Sequence, residues 1–265
     1  MKNGILLFVI IIFSFAACKK DKKENNGPTA PKTIQLDSFP LTIGNSWKFY
    51  TEIHLSIPSD TFYQNDYYDN YWKVVKDTLI NGTKTAKISQ LDSNYNGTTR
   101  LAFTYYTNKQ DGFYGVACEN NGSMFFLKTS ALYYNLHSFL LNAFGEKVTQ
   151  TDSIFIPNNS LYLIRFPVII NDYWNSNEYG QGANVIRKWI KDTTITTTAG
   201  TFDCIKLQVI FDSNHDGLPD TNTPIIFQYF GLKGLIEETQ FNNFIGSGGS
   251  TGTMSRTTKL VKINF

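Results

Sequence analysis

Phe39-Pro40-Leu41-Thr42-Ile43-Gly44-Asn45-Ser46-Trp47 is answered later by Phe166-Pro167-Val168-Ile169-Ile170-Asn171-Asp172-Tyr173-Trp174. Phe, Pro, an aliphatic, a β-branched residue, Ile, a Gly/Asn/Asp pair and Trp fall in one frame. Pro cannot donate to a sheet ladder, so it marks the entry to an edge or first strand. Gly44-Asn45 and Asn171-Asp172 suit a tight turn. The Trp opens the next strand with a large ring to bury.

The echo continues in the same order. Val75-Lys76-Asp77-Thr78-Leu79-Ile80 matches Ile190-Lys191-Asp192-Thr193-Thr194-Ile195, a Gly turn follows each (Gly82, Gly200), and Lys87 to Asn94 then matches Lys206 to Asn214. This order predicts two duplicated β-rich halves, 38–128 and 160–265. Two copies fall short of a solenoid. With 15 Tyr, 21 Phe and many Thr, the chain suits pleated sheet. The expected fold is mainly β: antiparallel meanders in one curved sheet or a sandwich.

Strands are expected over 47–57, 84–91, 100–107, 112–117, 185–198, 201–211, 225–229, 235–239 and 259–265. In the 201–211 arm Ile205, Leu207, Val209 and Phe211 share one face, and in the last strand Val261, Ile263 and Phe265 are expected inward. The one helix candidate is 129–145, with Leu132, Leu136, Phe139 or Leu140, and Phe144 on a common face, and a strand pair is the alternative.

Met1 to Ala17 has a basic start and a short apolar run from Ile5 to Phe15, too short to span a bilayer as a helix. Phe15-Ala16-Ala17-Cys18 resembles the bacterial lipoprotein signal, although Phe15 stands where Leu is usual. The resemblance implies acylation of Cys18, and more than one chain makes attachment stable. Residues 18–37 are charged and polar, a flexible tether. The body, 38–265, is then held at a membrane, expected to be the outer one, with its face left open. Near-neutral charge, 24 basic against 22 acidic residues, argues against a nucleic-acid partner. FPLTIGNSWKFY, TTAGTFDCIKL and YFGLKGLIEE together resemble uncharacterised Bacteroidetes lipoproteins. Some of those resemble the curved sheets of lipid-binding carriers, which implies an apolar ligand.

Asp212-Ser213-Asn214-His215-Asp216-Gly217-Leu218-Pro219-Asp220 resembles a calcium loop. Asp212, Asn214, Asp216 and Asp220 would offer side-chain oxygens and Leu218 its carbonyl, with Thr223 where an EF-hand has Glu. A plain hairpin turn uses the same residue types. Tyr67, Tyr68, Tyr71 and Trp72, in the aromatic-polar run 60–73, would form a glycan-stacking platform if exposed together; the alternative is an ordinary strand pair with outward Tyr. Thr78, Ser153 and Thr193 lie in short signals that resemble the Bacteroidetes O-glycosylation acceptor, which implies exposure. With Cys18 acylated, Cys118 and Cys204 remain, and a disulfide between them is open.

Catalytic signals are poor. Gly248-Gly249-Ser250-Thr251-Gly252 has the letters of a nucleophile elbow without its strand and helix. His54, His137 and His215 lie far apart. Glu237 and Glu238 face opposite ways if they lie on a strand. The expectation is a membrane-anchored, non-catalytic envelope protein binding an apolar ligand or, alternatively, a surface glycan; a hydrolase has least support.

Overall fold

The computed structural model describes residues 34–57, 62–94, 99–119, 160–176, 184–212, 216, 218–220, 223–245 and 251–265. Twelve strands occur among them: β1 (Ser46–Ile57), β2 (Phe62–Ile80), β3 (Thr83–Asn94), β4 (Thr99–Lys109), β5 (Gly112–Glu119), β6 (Leu161–Arg165), β7 (Tyr173–Asn175), β8 (Asn184–Thr197), β9 (Gly200–Asp212), β10 (Ile225–Gly231), β11 (Gly234–Ile245) and β12 (Thr251–Asn264). They form one antiparallel sheet in the order β6-β5-β4-β3-β2-β1-β12-β11-β10-β9-β8-β7. The helix expected over 129–145, Ser153 and residues 1–33, with Cys18, lie outside the described residues.

The two ends of this sheet meet, so the sheet is a nearly closed barrel. The Tyr162 N–H donates to the Ser176 carbonyl at 3.0 Å. Trp174 Nε1–H donates to the Tyr162 carbonyl at 2.9 Å, and Trp189 Nε1–H to that of Arg165 at 3.4 Å.

The sequence echo has a backbone counterpart. Gly44 N–H donates to the Val74 carbonyl and Val74 N–H to that of Asn45, both at 2.9 Å. At the matching positions Asn171 N–H donates to Trp189 at 2.8 Å, and Trp189 N–H to Asp172 at 3.0 Å. The turn residues Gly44 and Asn171 both have positive φ, 96° and 70°. A glycine and an asparagine are the residues that tolerate this region. The β2–β3 register breaks between Val74 and Lys76, and the β8–β9 register between Trp189 and Lys191. Matching breaks follow between Tyr105 and Tyr106 and between Tyr229 and Phe230. A bulge at the same place in each half gives both halves one frame.

Strand direction sorts the connections by barrel end. The turns at Ile43-Gly44, Asn81-Gly82, Gln110-Asp111, 166–172, Thr198-Ala199 and Leu232-Lys233 lie at one end, here the turn end, with Ile34 to Pro40 and Phe265. Connections at the opposite end lie wholly or partly outside the described residues.

Inward positions change character along the axis. Toward the turn end Trp47, Phe49, Trp72, Val74, Ile88, Tyr106, Phe113, Trp189, Phe230, Ile236 and Leu260 pack together. Toward the opposite end the same faces carry Thr51, Asn70, Gln90, Thr104, Arg187, Gln228, Glu238, Gln240, Asn242, Arg256 and Thr258, all buried.

Three expectations are corrected. Leu36 is buried and Ile34 packs on the core, so the body begins before residue 38. The last strand starts at Thr251, with residues 251–258 sharing its β11 pairing. Phe265 is half exposed rather than fully inward, because it lies past the last β1–β12 pair, Ser46 with Asn264, although its ring lies 5.4 Å from that of Trp47. A bulge between Lys48 and Phe49 puts Leu260 opposite Phe49 and Ile263 opposite Trp47, and Ile263 packs on the core.

Candidate functional site

A polar ladder crosses the barrel interior. Arg187 Nη1–H donates to Gln228 Oε1 at 3.1 Å, and Gln228 Nε2–H donates to Glu238 Oε2 at 2.7 Å. Arg256 Nη2 closes the row as an ion pair on Glu238 Oε1. Beside them Thr51 Oγ1 and Thr258 Oγ1 share a hydrogen bond of 2.8 Å, and Asn70 Nδ2–H donates to Thr51 at 2.7 Å. Residues from β8, β10, β11, β12, β1 and β2 thus meet in one belt. Burial pushes the Glu238 carboxyl up, while Arg256, Gln228 and Arg187 oppose it.

Alternation explains why these side chains point inward. Val185, Arg187 and Trp189 share a face of β8, as do Ile226, Gln228 and Phe230 of β10, and Met254, Arg256, Thr258 and Leu260 of β12. Sequence reasoning missed these sites. The available signal was a charged or amide residue at an apolar parity position. Two buried atoms, Thr104 Oγ1 and Asn242 Oδ1, have no hydrogen-bond partner among the described residues.

Glu237 and Glu238 face opposite ways. Glu238 lies inside, while Glu237 sits 3.8 Å from Lys259 on the outer wall. His54 Nδ1 lies 2.6 Å from Asn65 Oδ1 on the exterior. The stretch that begins at Thr251, within the Gly/Ser motif, is strand β12.

The tyrosine platform does not form as a unit. Trp72 is 2% exposed and belongs to the core, whereas Tyr67 and Tyr71 are 37% and 39% exposed on the outer wall. Strand alternation on β2 separates them, with Tyr68 on Trp72's parity. The apolar-ligand reading also meets a turn-end interior whose Phe, Leu and Ile side chains pack on one another. Cys118 on β5 and Cys204 on β9 are not joined to each other, so the disulfide left open by the sequence is not formed. Burial pushes the Cys204 thiol up to about 12.

The acidic loop leaves β9 at Asp212, whose Oδ1 accepts the Asp216 N–H at 2.9 Å. Asp216 Oδ1 accepts the Leu218 N–H at 2.8 Å, and Asp220 N–H donates to the Phe211 carbonyl at 2.8 Å. Asn214 lies outside the described residues. Among those described, no group of three His, Cys, Asp or Glu side chains is placed to hold a metal. Thr78 and Thr193 are half-buried, at matching positions of β2 and β8.

No family model matches this chain, and no curated protein matches it. Among solved structures, it is similar to a predicted lipoprotein from Parabacteroides distasonis, with 14% identity, a TM-score of 0.43, and coverage of 88% of this chain and 100% of that one. It is also similar to a predicted exported protein with a YmcC-like fold from Bacteroides fragilis, with 11% identity, a TM-score of 0.42, and coverage of 86% and 98%.

Proposed function

We propose that this is a lipid-anchored envelope protein of non-catalytic role, whose barrel takes a polar ligand on the inward belt toward the end opposite the turns. The observation that carries the reading is the ladder Arg187–Gln228–Glu238–Arg256, with the buried Asn242 Oδ1 unpartnered among the described residues. A buried polar atom without a partner costs about 1–3 kcal/mol, a cost that a hydroxylated or amide-bearing ligand offsets. The non-catalytic part rests on Glu238, both of whose oxygens are engaged, Oε1 by Arg256 and Oε2 by Gln228. Cys18 behind Ala16-Ala17 supports the anchor.

Purified protein tested against oligosaccharides, organic acids and fatty acids checks this. A polar compound should raise the melting temperature, and Asn242→Leu should abolish that rise while retaining a cooperative melt. A response confined to fatty acids, or none at all, overturns the polar-ligand reading.

Calcium is the second proposal, with a structural role at Asp212, Asn214, Asp216, Leu218 and Asp220. The hydrogen bonds from Asp216 N–H to Asp212 and from Leu218 N–H to Asp216 support it by bringing these three candidate ligand residues close to one another. At a hundred times its Kd, calcium should add about 2.7 kcal/mol of stability. Exposed Asp216→Asn should remove that gain. Superimposed melts in calcium and in chelator leave a plain turn.

A further inference from the structure

Turn corners ordinarily carry Gly, Pro, Asn, Asp or Ser. At the turn end of this barrel several carry large apolar residues instead. Ile43 lies in the turn before β1, Ile169 in the connection before β7, Leu232 in the β10–β11 turn, and Phe265 follows β12. They are 56%, 57%, 65% and 49% exposed. Single exposed apolar residues are normal on a protein surface. Four from separate corners of one barrel end make a face, and Lys233 adds a cation, its Nζ 4.7 Å from the Phe265 ring centre.

Where the chain enters the barrel identifies what this face meets. Leu36 and Phe39 are buried at the turn end, with the Phe39 ring 5.6 Å from Trp47. Asn108 Nδ2–H donates to the Phe39 carbonyl at 2.8 Å, and Asn108 Oδ1 accepts the Phe39 N–H at 2.9 Å. The entry point is therefore fixed. Ile34 is sixteen residues past Cys18, which allows at most about 55 Å of extended chain and about 22 Å for a flexible one. Lys19, Lys20, Lys22 and Lys23 stand next to Cys18, and basic residues beside an anchor favour anionic headgroups.

We infer that the turn end docks on the lipid surface, with Ile43, Ile169, Leu232 and Phe265 entering the boundary between headgroups and acyl chains and Lys233 meeting anionic headgroups. Aliphatic and aromatic tips flanked by cations are what such a boundary accepts. The polar belt then opens away from the membrane. The inference rests on acylation of Cys18.

The four tryptophans Trp47, Trp72, Trp174 and Trp189 are all buried, so an added surface tryptophan reports its own surroundings. Leu232→Trp places a reporter on the docking face, and Leu101→Trp places one on the outer wall of β4. Each full-length lipidated protein is reconstituted in phosphatidylethanolamine/phosphatidylglycerol vesicles with and without brominated acyl chains. Bromolipid should quench the Leu232→Trp emission about twofold, as expected of a side chain at the acyl boundary, and leave Leu101→Trp unchanged. Equal quenching of both reporters, or of neither, overturns the docking. Flotation separates the two ideas: protein that floats without quenching keeps its anchor and loses the docking face, whereas protein that does not float loses both.

Discussion

The outer walls of the two halves carry the same arrangement with one difference. In the first half Lys87 Nζ lies 3.9 Å from the Phe103 ring centre and 5.2 Å from that of Tyr105. In the second, Lys206 Nζ lies 3.5 Å from Phe227 and 5.7 Å from Tyr229. Each lysine faces another across its strand pair, Lys76 and Lys191 respectively. The next strand differs. Glu119 stands opposite Phe103, and Thr239 stands opposite Phe227.

The consequences are electrostatic. Lys87 Nζ pairs with Glu119 at 3.0 Å, and the Tyr105 hydroxyl donates to the same carboxylate. Burial works to raise the Glu119 carboxyl, but Tyr105 and Lys87 outweigh it and hold it below its ordinary value. Burial, then Lys191, pushes Lys206 down from the usual lysine range. A repeated backbone therefore supplies the setting, and one residue decides whether it holds an ion pair. Inside the barrel the contrast is sharper. Trp72 and Arg187 hold matching inward positions, so the first half fills its interior with a ring where the second begins a charged ladder.

Breaking that interior contrast should have the largest effect. Glu238→Ala strands Arg256 and Gln228 in the interior and should cost about 3–5 kcal/mol in a denaturant melt. Asn70→Ala in the neutral half should cost about 1 kcal/mol. Equal losses would show that the ladder is no more demanding than the threonine–asparagine contacts. The double variant Glu238→Leu/Arg256→Met should regain most of the loss, because apolar groups can replace a buried pair.

The matched turns give a smaller effect. Gly44→Ala places a β-carbon at a φ of 96° with nothing within 4 Å, so its cost, about 1–2 kcal/mol, is backbone strain alone. Gly44→Asn, which copies the other half, should cost less than Gly44→Ala. A Gly44→Ala protein as stable as wild type would break the equivalence of the two turns.

The smallest effect concerns the outer wall. Thr239→Glu should supply the missing carboxylate beside Lys206 and add about 0.5 kcal/mol at neutral pH and low salt. Its dependence on acidity carries a sign. Glu119 has a folded pKa below its unfolded one, so its contribution is full above the unfolded carboxylate range and lost as pH falls through the folded value. Glu119→Gln should flatten that acid limb. Glu238, raised by burial, has the opposite sign: its contribution is present below the unfolded value and lost as pH rises through the folded one.

Legibility followed the range of the cause. Nine expected strands correspond to β1, β3–β5 and β8–β12, because alternation and Gly or Asn turns are local. β6, with five residues, and β7, with three, are too short to show a period. The Gly-rich stretch before Thr253 hid the start of β12. The candidate belt was unread because each strand contributes one or two polar residues that look like lapses in an apolar face.

The sequence by itself determined the repeated frame: the Pro-to-Trp units, the positive-φ turn residues, and the inward faces of strands such as Ile205, Leu207, Val209 and Phe211. These depend on neighbours along the chain, through the two-residue period of a strand and the steric limits on φ. Only the tertiary structure placed β1 against β12, brought β6 to β7, and collected Arg187, Gln228, Glu238 and Arg256 into one ladder. Strand order and register shifts join residues distant in sequence. A single bulge can change which side chains point inward, as the one at Lys48–Phe49 does by setting Leu260 against Phe49 but Ile263 against Trp47.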